Sequence, residues 1–186
     1  MTWTTETGEI VKLADIVTKV LAKGESTPLV YLTFSLITVG LAIKSGLFPF
    51  HFWMPDTYGS STTAARGVLS GLISKGYIIL LIKIFYRVVG LDFIVTSKMM
   101  NVFFIFGLVG MIMGSVSAIL EKDIRRMIAF SSVAQIGYVY MGIGLGIEQG
   151  YVAAVYHIIH HAATKALLFI SVVGLSNVSG GSKMFP

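Results

Sequence analysis

Three lysines lie well inside long apolar stretches of the sequence, where a charged side chain is costly. They are Lys44, Lys75 and Lys165; a fourth, Lys83, lies nearer the end of its stretch. Charged residues within a membrane are rare and usually functional. Because a desolvated amine can release its proton, the three lysines predict a proton relay. For Lys83 we favour the simpler interpretation that its long side chain extends towards the membrane surface.

Histidines accompany the lysine of the last apolar stretch, "AAVYHIIHHAATKALLF". His157, His161 and Lys165 follow one another at four-residue intervals, which places them on one face of a helix about 6 Å apart. Imidazole titrates near neutral pH and can pass a proton through either nitrogen. The spacing therefore predicts a His–His–Lys proton path, with His160 lying off that face.

Two other interpretations of these histidines stay open. The segment "HIIHH" has the spacing of the histidine boxes that bind iron in membrane desaturases and hydroxylases, but such sites use many more histidines than the four here. Alternatively, His157 and His161 are structural and form hydrogen bonds within the bundle. A membrane metalloenzyme and a purely structural membrane subunit are thus the alternatives to a relay. The relay hypothesis needs no metal and no cofactor.

The stretch "VGLAIKSGLFPFHFWMPD" combines Lys44 with two prolines. Pro49 cannot donate to the carbonyl four residues earlier, and Pro55 frees the carbonyl of His51 in the same way. Gly46 adds flexibility. Broken membrane helices occur where they line a water-filled cavity or are buried in protein. We therefore expect a helix broken at Pro49 that gives Lys44 a polar environment, the alternative being an ordinary proline kink beside an interfacial lysine.

Composition shows that lipid surrounds most of the chain. Of 186 residues, 55% are hydrophobic and only 12% charged, with a mean hydropathy of +0.82. The absence of cysteine excludes disulfides, thiolate metal sites and iron–sulfur ligation. The net charge of +5 comes from scattered lysines and arginines without a basic stripe, so nucleic-acid binding is not indicated.

A helix needs about 20 apolar residues to cross the hydrocarbon core. By that measure we predict an all-α integral membrane protein with about five spans. They are Leu29–Phe52, Ala65–Val89, Val102–Leu120, Ile124–Gly146 and Tyr151–Leu175. We expect one transmembrane bundle over residues 28–186.

Residues 1–27 are predicted to form a polar start followed by an amphipathic helix. One face of that helix is apolar, and its members are Ile10, Leu13, Val17, Val20 and Leu21. The pattern indicates a helix lying on the membrane surface or covering a neighbouring subunit. Positive charge is nearly balanced between the two sides of the predicted bundle, and the densest short cluster, "EKDIRRM", favours placing its loop in the cytoplasm by the positive-inside rule.

Acidic residues are missing where the buried lysines need them. All nine Asp and Glu lie in loops or in the amphipathic segment. The lysines are therefore either neutral or paired with a carboxylate from a segment or subunit outside this chain. The second possibility predicts that the chain works as part of something larger.

Four segments, taken together, resemble a known family. In order they are "AIKSGLFPFHFWMPD", "GLISKGYIILL", "LEKDIRRMIAFSSVAQIGYV" and "HIIHHAATKALLF". They resemble the antiporter-like subunits of respiratory complex I, of membrane-bound hydrogenases and of multisubunit cation/proton antiporters. The resemblance covers nearly the whole chain.

The resemblance implies roles for several residues. The lysine before the broken-helix proline, the central proton carrier of the first half-channel in that family, matches Lys44. Its relay partner on the next helix matches Lys75. The helix that leads towards the second half-channel matches His157, His161 and Lys165. The segment "EKDIRRMIAFSSVAQIGY" matches a turn and helix start on the cytoplasmic side.

The resemblance also indicates which parts of the family's full subunit this chain does not match. The full subunit of that family has about fourteen helices in two inverted repeats. This chain resembles the last two helices of the first repeat and the first three of the second. The glutamate that pairs with the first lysine lies on an earlier helix. After "MPD" the chain has "TYGSSTTAA" where the family often has Ala-Pro.

The resulting hypothesis is proton or cation translocation in the membrane arm of a redox-driven complex. The chain would be a subunit without redox chemistry of its own, in an NADH:quinone oxidoreductase or a membrane-bound hydrogenase. Its expected partners are lipid and other membrane subunits. Its expected location is a bacterial or archaeal cytoplasmic membrane.

Overall fold

The computed structural model describes residues 2–4, 10–12, 15, 19, 27–85, 88 and 98–180. Two short strands precede the helices, which form the bulk of the protein. The elements are β1 (Thr2–Thr4), β2 (Ile10–Lys12), α1 (Thr27–Ser45), α2 (Trp53–Ser60), α3 (Thr63–Val68), α4 (Ser74–Ile84), α5 (Met99–Leu120), α6 (Ile124–Gly144) and α7 (Glu148–Ser179). A π-helical turn, Leu69–Ile73, joins α3 to α4. The predicted all-α membrane class is confirmed.

Four stretches of the described helices are long and apolar enough to cross a membrane. They are Ala64–Ile84, Met99–Leu120, Ile124–Gly144 and Glu148–Leu175. They coincide within a few residues at most ends with the last four predicted spans. The first predicted span is shorter than expected at its C-terminal end, because α1 ends at Ser45 rather than at Phe52.

The first helix ends before Pro49, so the predicted cause of the break is wrong. Gly46 adopts a left-handed conformation with φ +82°. Its N–H donates to Ile43 O at 3.2 Å, and the N–H of Leu47 donates to Ala42 O at 3.0 Å. This pair of bonds is a Schellman motif, which closes a helix at a glycine. Pro49 follows within the irregular segment, after a cis peptide bond, and does not interrupt a running helix.

Pro55 also does not free the carbonyl of His51, contrary to expectation. It lies in the first turn of α2, where a helix needs no donor from it. The His51 carbonyl accepts a hydrogen bond from the N–H of Met54 at 2.9 Å. On the other side of the break, the indole N–H of Trp53 donates to Ile43 O at 3.0 Å and ties α2 to the end of α1.

Helix α6 is the centre of the bundle. Two-thirds of its most apolar window (67%) is buried, against 33% or less in the other three candidate spans. It packs against α2, α5 and α7. Its contact with α5 is closest: a Cβ added to Gly114 would lie 2.5 Å from Ala134 N, and one added to Gly137 would lie 2.6 Å from Met111 N. Small residues allow this backbone-to-backbone approach, as is typical of membrane helix pairs.

The start of the predicted surface helix is a strand instead. Thr2–Thr4 pairs antiparallel with Ile10–Lys12, consistent with the preference of β-branched threonine, isoleucine and valine for strands. Asp15 and Lys19 are helical. The rest of the predicted helix lies outside the described residues, and the interfacial location of residues 1–27 stays a prediction.

Candidate functional site

Lys165 points from α7 into α6. Its side chain is 2% exposed. Its Nζ donates to Ile128 O at 2.8 Å and to the hydroxyl of Ser131 at 2.5 Å. Both acceptors are in the first part of α6, so the amine is held by oxygen atoms of the central helix rather than by a carboxylate.

Lys75 is buried on the other side of the same region, in α4. Its side chain is 3% exposed, and its Nζ donates to the carbonyl of Ser70 in the π-helical turn. This turn packs against α7, where a Cβ on Gly71 would lie 3.5 Å from Ala162 O. Because π-helical turns are often found at functional sites, the contact between this turn and a buried lysine indicates a functional role for the region.

Serine hydroxyls connect the two lysine environments. The hydroxyl oxygens of Ser70 and Ser132 lie 3.4 Å apart, and both residues are fully buried. The Ser132 hydroxyl also donates to Ile128 O at 3.0 Å, the same carbonyl that Lys165 contacts. A continuous set of polar contacts therefore leads from α4 through the π turn to α7.

His161 lies on α7, one helical turn before Lys165. It is 3% exposed, and within the described part of the chain neither ring nitrogen has a hydrogen-bond partner. The contacts through Ser70, Ser132 and the Ile128 carbonyl bring the surroundings of Lys75 and Lys165 into the same buried region.

The other two histidines of α7 lie farther out. The His157 ring is half-buried, 6.1 Å from that of His161 and 5.8 Å from that of Tyr138. His160 is exposed and lies off the inward face, with its ring 6.5 Å from that of His157. In the ranges that the structure describes, no three His, Cys, Asp or Glu side chains come close enough to share a metal ion.

Lys44 and Lys83 are not part of this buried cluster. Both are exposed, and neither has a hydrogen-bond partner among the described residues. The polar niche predicted for Lys44 is therefore absent from the described ranges, because the Schellman turn rather than Pro49 closes the helix and Trp53 occupies the nearby Ile43 carbonyl. The position of Lys44 leaves its amine available to a group outside this bundle.

His51 lies in the irregular segment between α1 and α2. Its ring stacks on Phe48 and Phe52, with centroids 5.4 and 4.7 Å away. It borders a cavity of about 540 Å³, and the rim of this cavity includes Asp56 and Arg126. His51 is thus near the α5–α6 turn and separate from the buried lysines.

An ionic cluster joins α2 to the turn between α5 and α6. Arg126 contacts Asp56 at 2.9 Å and Glu121 at 3.1 Å. Asp123 caps α6 by accepting from the N–H of Arg125 at 2.8 Å. Burial raises the pKa of Glu121, but hydrogen bonds from the Asp123 N–H, the Arg126 side chain and the Lys122 N–H outweigh it, so that pKa lies below its usual range.

Sequence reasoning missed the serines. Ser70, Ser131 and Ser132 hold or connect the two lysines, and the hydroxyl of Ser74 adds a 3.3 Å contact to the buried Tyr58. The signals were a pair of serines four residues apart immediately before Lys75, and the tandem serines of "FSSVAQ" within an apolar span. Serine is common in membrane helices, and so neither signal is specific without the structure.

Comparisons with known proteins agree with this architecture. The profile of the family described as "NADH:quinone oxidoreductase/Mrp antiporter, TM" matches residues 1–185. NADH-quinone oxidoreductase subunit N of Desulforudis audaxviator (strain MP104C) is 34% identical over 83% of this chain and 30% of its own length. Chloroplastic NAD(P)H-quinone oxidoreductase subunit 5 of Tecoma stans is 31% identical over 90% of this chain and 22% of its own length.

Two solved structures are also similar. The Mrp complex from Dietzia sp. DQ12-45-1b contains a chain that is 31% identical, with a TM-score of 0.72 over 80% of this chain and 27% of that one. The membrane-bound sulfane sulfur reductase, an archaeal respiratory membrane complex, contains one that is 26% identical, with a TM-score of 0.79 over 94% and 35%. The chain thus spans about a third or less of each of these relatives.

Proposed function

Because the chain belongs to the NADH:quinone oxidoreductase/Mrp antiporter transmembrane family, we propose that it carries protons, or another cation, as the central part of a longer antiporter-like subunit. The proton path runs along Lys75, His157, His161 and Lys165. In this proposal the chain does no redox chemistry; electron transfer elsewhere in a multisubunit membrane complex drives the changes in protonation.

The burial of two lysines and a histidine in one region carries this proposal. Lys75, His161 and Lys165 are each at most 3% exposed. Among the described residues of the bundle, the acidic side chains lie near the helix ends, at Asp56, Glu121, Asp123 and Glu148. Two ammonium groups without a counter-charge repel each other, so a proton bound at one amine favours release from the other. That exchange is the elementary step of a relay.

Lys44 has a different place in the proposal. Its exposed side chain at the end of α1 suits contact with a carboxylate from a segment or subunit outside this chain. This would form the entry part of the path, separated from Lys75 by the irregular segment after Gly46. The conformational freedom of that segment would connect or disconnect the two parts.

The context of the relatives supports a complex with further subunits. Both similar solved structures are membrane complexes, and the curated relatives are subunits of quinone oxidoreductases. We propose that other membrane subunits pack on the exposed apolar faces of this bundle. The bacterial or archaeal cytoplasmic membrane is the proposed location, although several of the similar relatives are chloroplastic.

Proton translocation by the complete complex in reconstituted vesicles tests the proposal. Lys75→Ala and Lys165→Ala should each slow proton translocation at least about a hundredfold, the lower end of what a positioned acid or base contributes, and so reduce the protons moved per electron. Lys83→Ala, an exposed lysine on the same helix as Lys75, is the matched control and should keep the native ratio. Electron-transfer capacity should persist in all three.

Unchanged proton stoichiometry in both buried-lysine variants would overturn the relay and favour a structural role. A separate measurement addresses the metalloenzyme alternative: iron or zinc present in stoichiometric amount, and lost in His157→Ala and His161→Ala, would replace the relay with a metal site.

A further inference from the structure

One backbone oxygen in α6 receives more donors than it can hold. The Ile128 carbonyl accepts from the Ser131 hydroxyl at 2.8 Å, from Lys165 Nζ at 2.8 Å and from the Ser132 hydroxyl at 3.0 Å. A carbonyl oxygen has two lone pairs, and the α-helix uses this acceptor for its own N–H as well. The three side chains therefore compete for one acceptor.

The three side chains that compete for the Ile128 carbonyl differ in the other hydrogen-bond partners they can use. Lys165 already contacts Ser131, so those two groups can bond each other. The Ser132 hydroxyl has one other polar neighbour, the Ser70 hydroxyl at 3.4 Å on the π turn. Each hydroxyl carries a single proton. When Ser132 donates to Ile128 O, the proton between the two serines must come from Ser70; when Ser132 loses Ile128 O, it can donate to Ser70 instead.

We propose that Ser132 and Ser70 form a hydroxyl switch that couples Lys165 to Lys75. A charged Lys165 binds the Ile128 carbonyl more strongly, displaces the Ser132 hydroxyl and turns its proton to Ser70. The O–H bond of Ser70 must then rotate away from Ser132. This rotation reverses the direction of the Ser70 hydroxyl dipole, which lies beside the Ser70 carbonyl that accepts from Lys75 Nζ. No proton passes through the serines; they are positioning residues, and the inference rests on the proposed function.

The surroundings of the switch leave few other routes for this coupling. Lys75 lies on α4, His157 and His161 lie on α7 with Lys165, and α6 presents Ser131 and the Ile128 carbonyl. The phenol of Tyr58 on α2 contacts the Ser74 hydroxyl at 3.3 Å and also lies beside the Ser70 hydroxyl. Within these contacts the serine pair is the hydrogen-bonded connection between the two lysine environments. Direct repulsion between the lysines acts in addition, without needing the hydroxyls.

Alanine variants of both serines, alone and together, test the switch in the complete complex. We expect Ser132→Ala and Ser70→Ala each to slow proton translocation about fivefold, the factor that corresponds to one ordinary hydrogen bond. The double variant should be no slower than either single one, because the two hydroxyls act as one unit. Ser132→Ala should also shift the pH profile of translocation to higher pH, since Lys165 then has one competitor fewer for Ile128 O.

Ser171→Ala is the matched control, because Ser171 is exposed on α7 and its hydroxyl only bonds Leu167 O in its own helix. It should keep the native rate and profile. Multiplied losses of about 25-fold in the double variant would show independent sites and overturn the switch. So would native rates in both single variants, or an unshifted profile in Ser132→Ala.

These experiments distinguish a failure of the hydroxyl switch from a failure of the proposed function. Normal serine variants together with inactive Lys75→Ala and Lys165→Ala would remove the switch and leave the relay in place. Active lysine variants would remove the relay itself. Should Ser132→Ala fail to assemble, Ser70→Ala decides: a native rate and profile in that variant would overturn the switch.

Discussion

The hydroxyl groups of Ser45 and Tyr140 lie 2.9 Å apart, and both residues are fully buried. The Ser45 hydroxyl donates its proton to Ala42 O at 3.1 Å, so Tyr140 donates to Ser45. This bond fastens the end of α1, where the helix breaks, to the central helix α6.

Replacing Tyr140 by phenylalanine should weaken this attachment while preserving the ring. Loss of one buried hydrogen bond costs about 1 kcal/mol, so the thermal unfolding midpoint of the solubilised complex should fall. Tyr138→Phe is the control because Tyr138 is 41% exposed on the same helix. Equal midpoints for the two variants would show that the Ser45–Tyr140 bond does not stabilise the break.

Of two glycine replacements, one within α1 and one immediately after it, Gly46→Ala should be the more damaging. Any side chain at this position must adopt the left-handed conformation, at about 1–2 kcal/mol, and the new Cβ would meet the side chain of Met54. Gly40 has open space around it, and Gly40→Ala should be neutral or slightly stabilising because alanine favours helix.

Thermal midpoints of the two glycine variants provide the comparison. In a Met54→Ala background, Gly46→Ala should lower the midpoint less than it does in the native chain, because the clash is gone and only the backbone strain remains. A Gly46→Ala protein as stable as Gly40→Ala would contradict the Schellman closure of α1.

The ionic cluster at the α5–α6 turn should lose strength in acid. The folded-state pKa of Glu121 is below its usual value of 4.5, so its contribution to stability is present above about pH 4.5 and disappears as pH falls through the lower folded pKa. Because the pair with Arg126 is partly exposed, the effect should be small. Hydrogen-exchange protection of residues 121–126, relative to the intrinsic rate at each pH, should fall in that range, and Glu121→Gln should abolish this change in protection.

The burial of Lys75 and Lys165 could be predicted because it depends on how far each residue lies from the ends of its apolar span. Lys75 and Lys165 lie several helical turns from either end of their spans, and a four-residue interval from His161 to Lys165 leads to one face of any regular helix. The amphipathic start was less predictable: threonines at the terminus favour strand pairing with Ile10–Lys12, a long-range contact that no local periodicity reveals.

The features that position the site were beyond such reasoning. A proline in an apolar run is a strong signal and predicts a break at Pro49, yet the backbone conformation of Gly46 already closes the helix. The π turn at Leu69–Ile73 has no sequence signature. Whether Ser132 reaches Ser70 depends on how α6 packs against that turn, which only the assembled bundle determines.

The glycine contacts between α5 and α6 have a mechanical consequence. Helices whose backbones touch cannot slide or rotate against each other without collision, so α5 and α6 form one rigid unit that carries the Ile128 carbonyl. The α7 helix has 32 residues, is about 48 Å long and carries Lys165. Helix α7 is held to α6 in the same way near its start, where a Cβ added to Gly150 would lie 2.4 Å from Gly142 O. Lys165 meets the Ile128 carbonyl about four helical turns beyond this close contact.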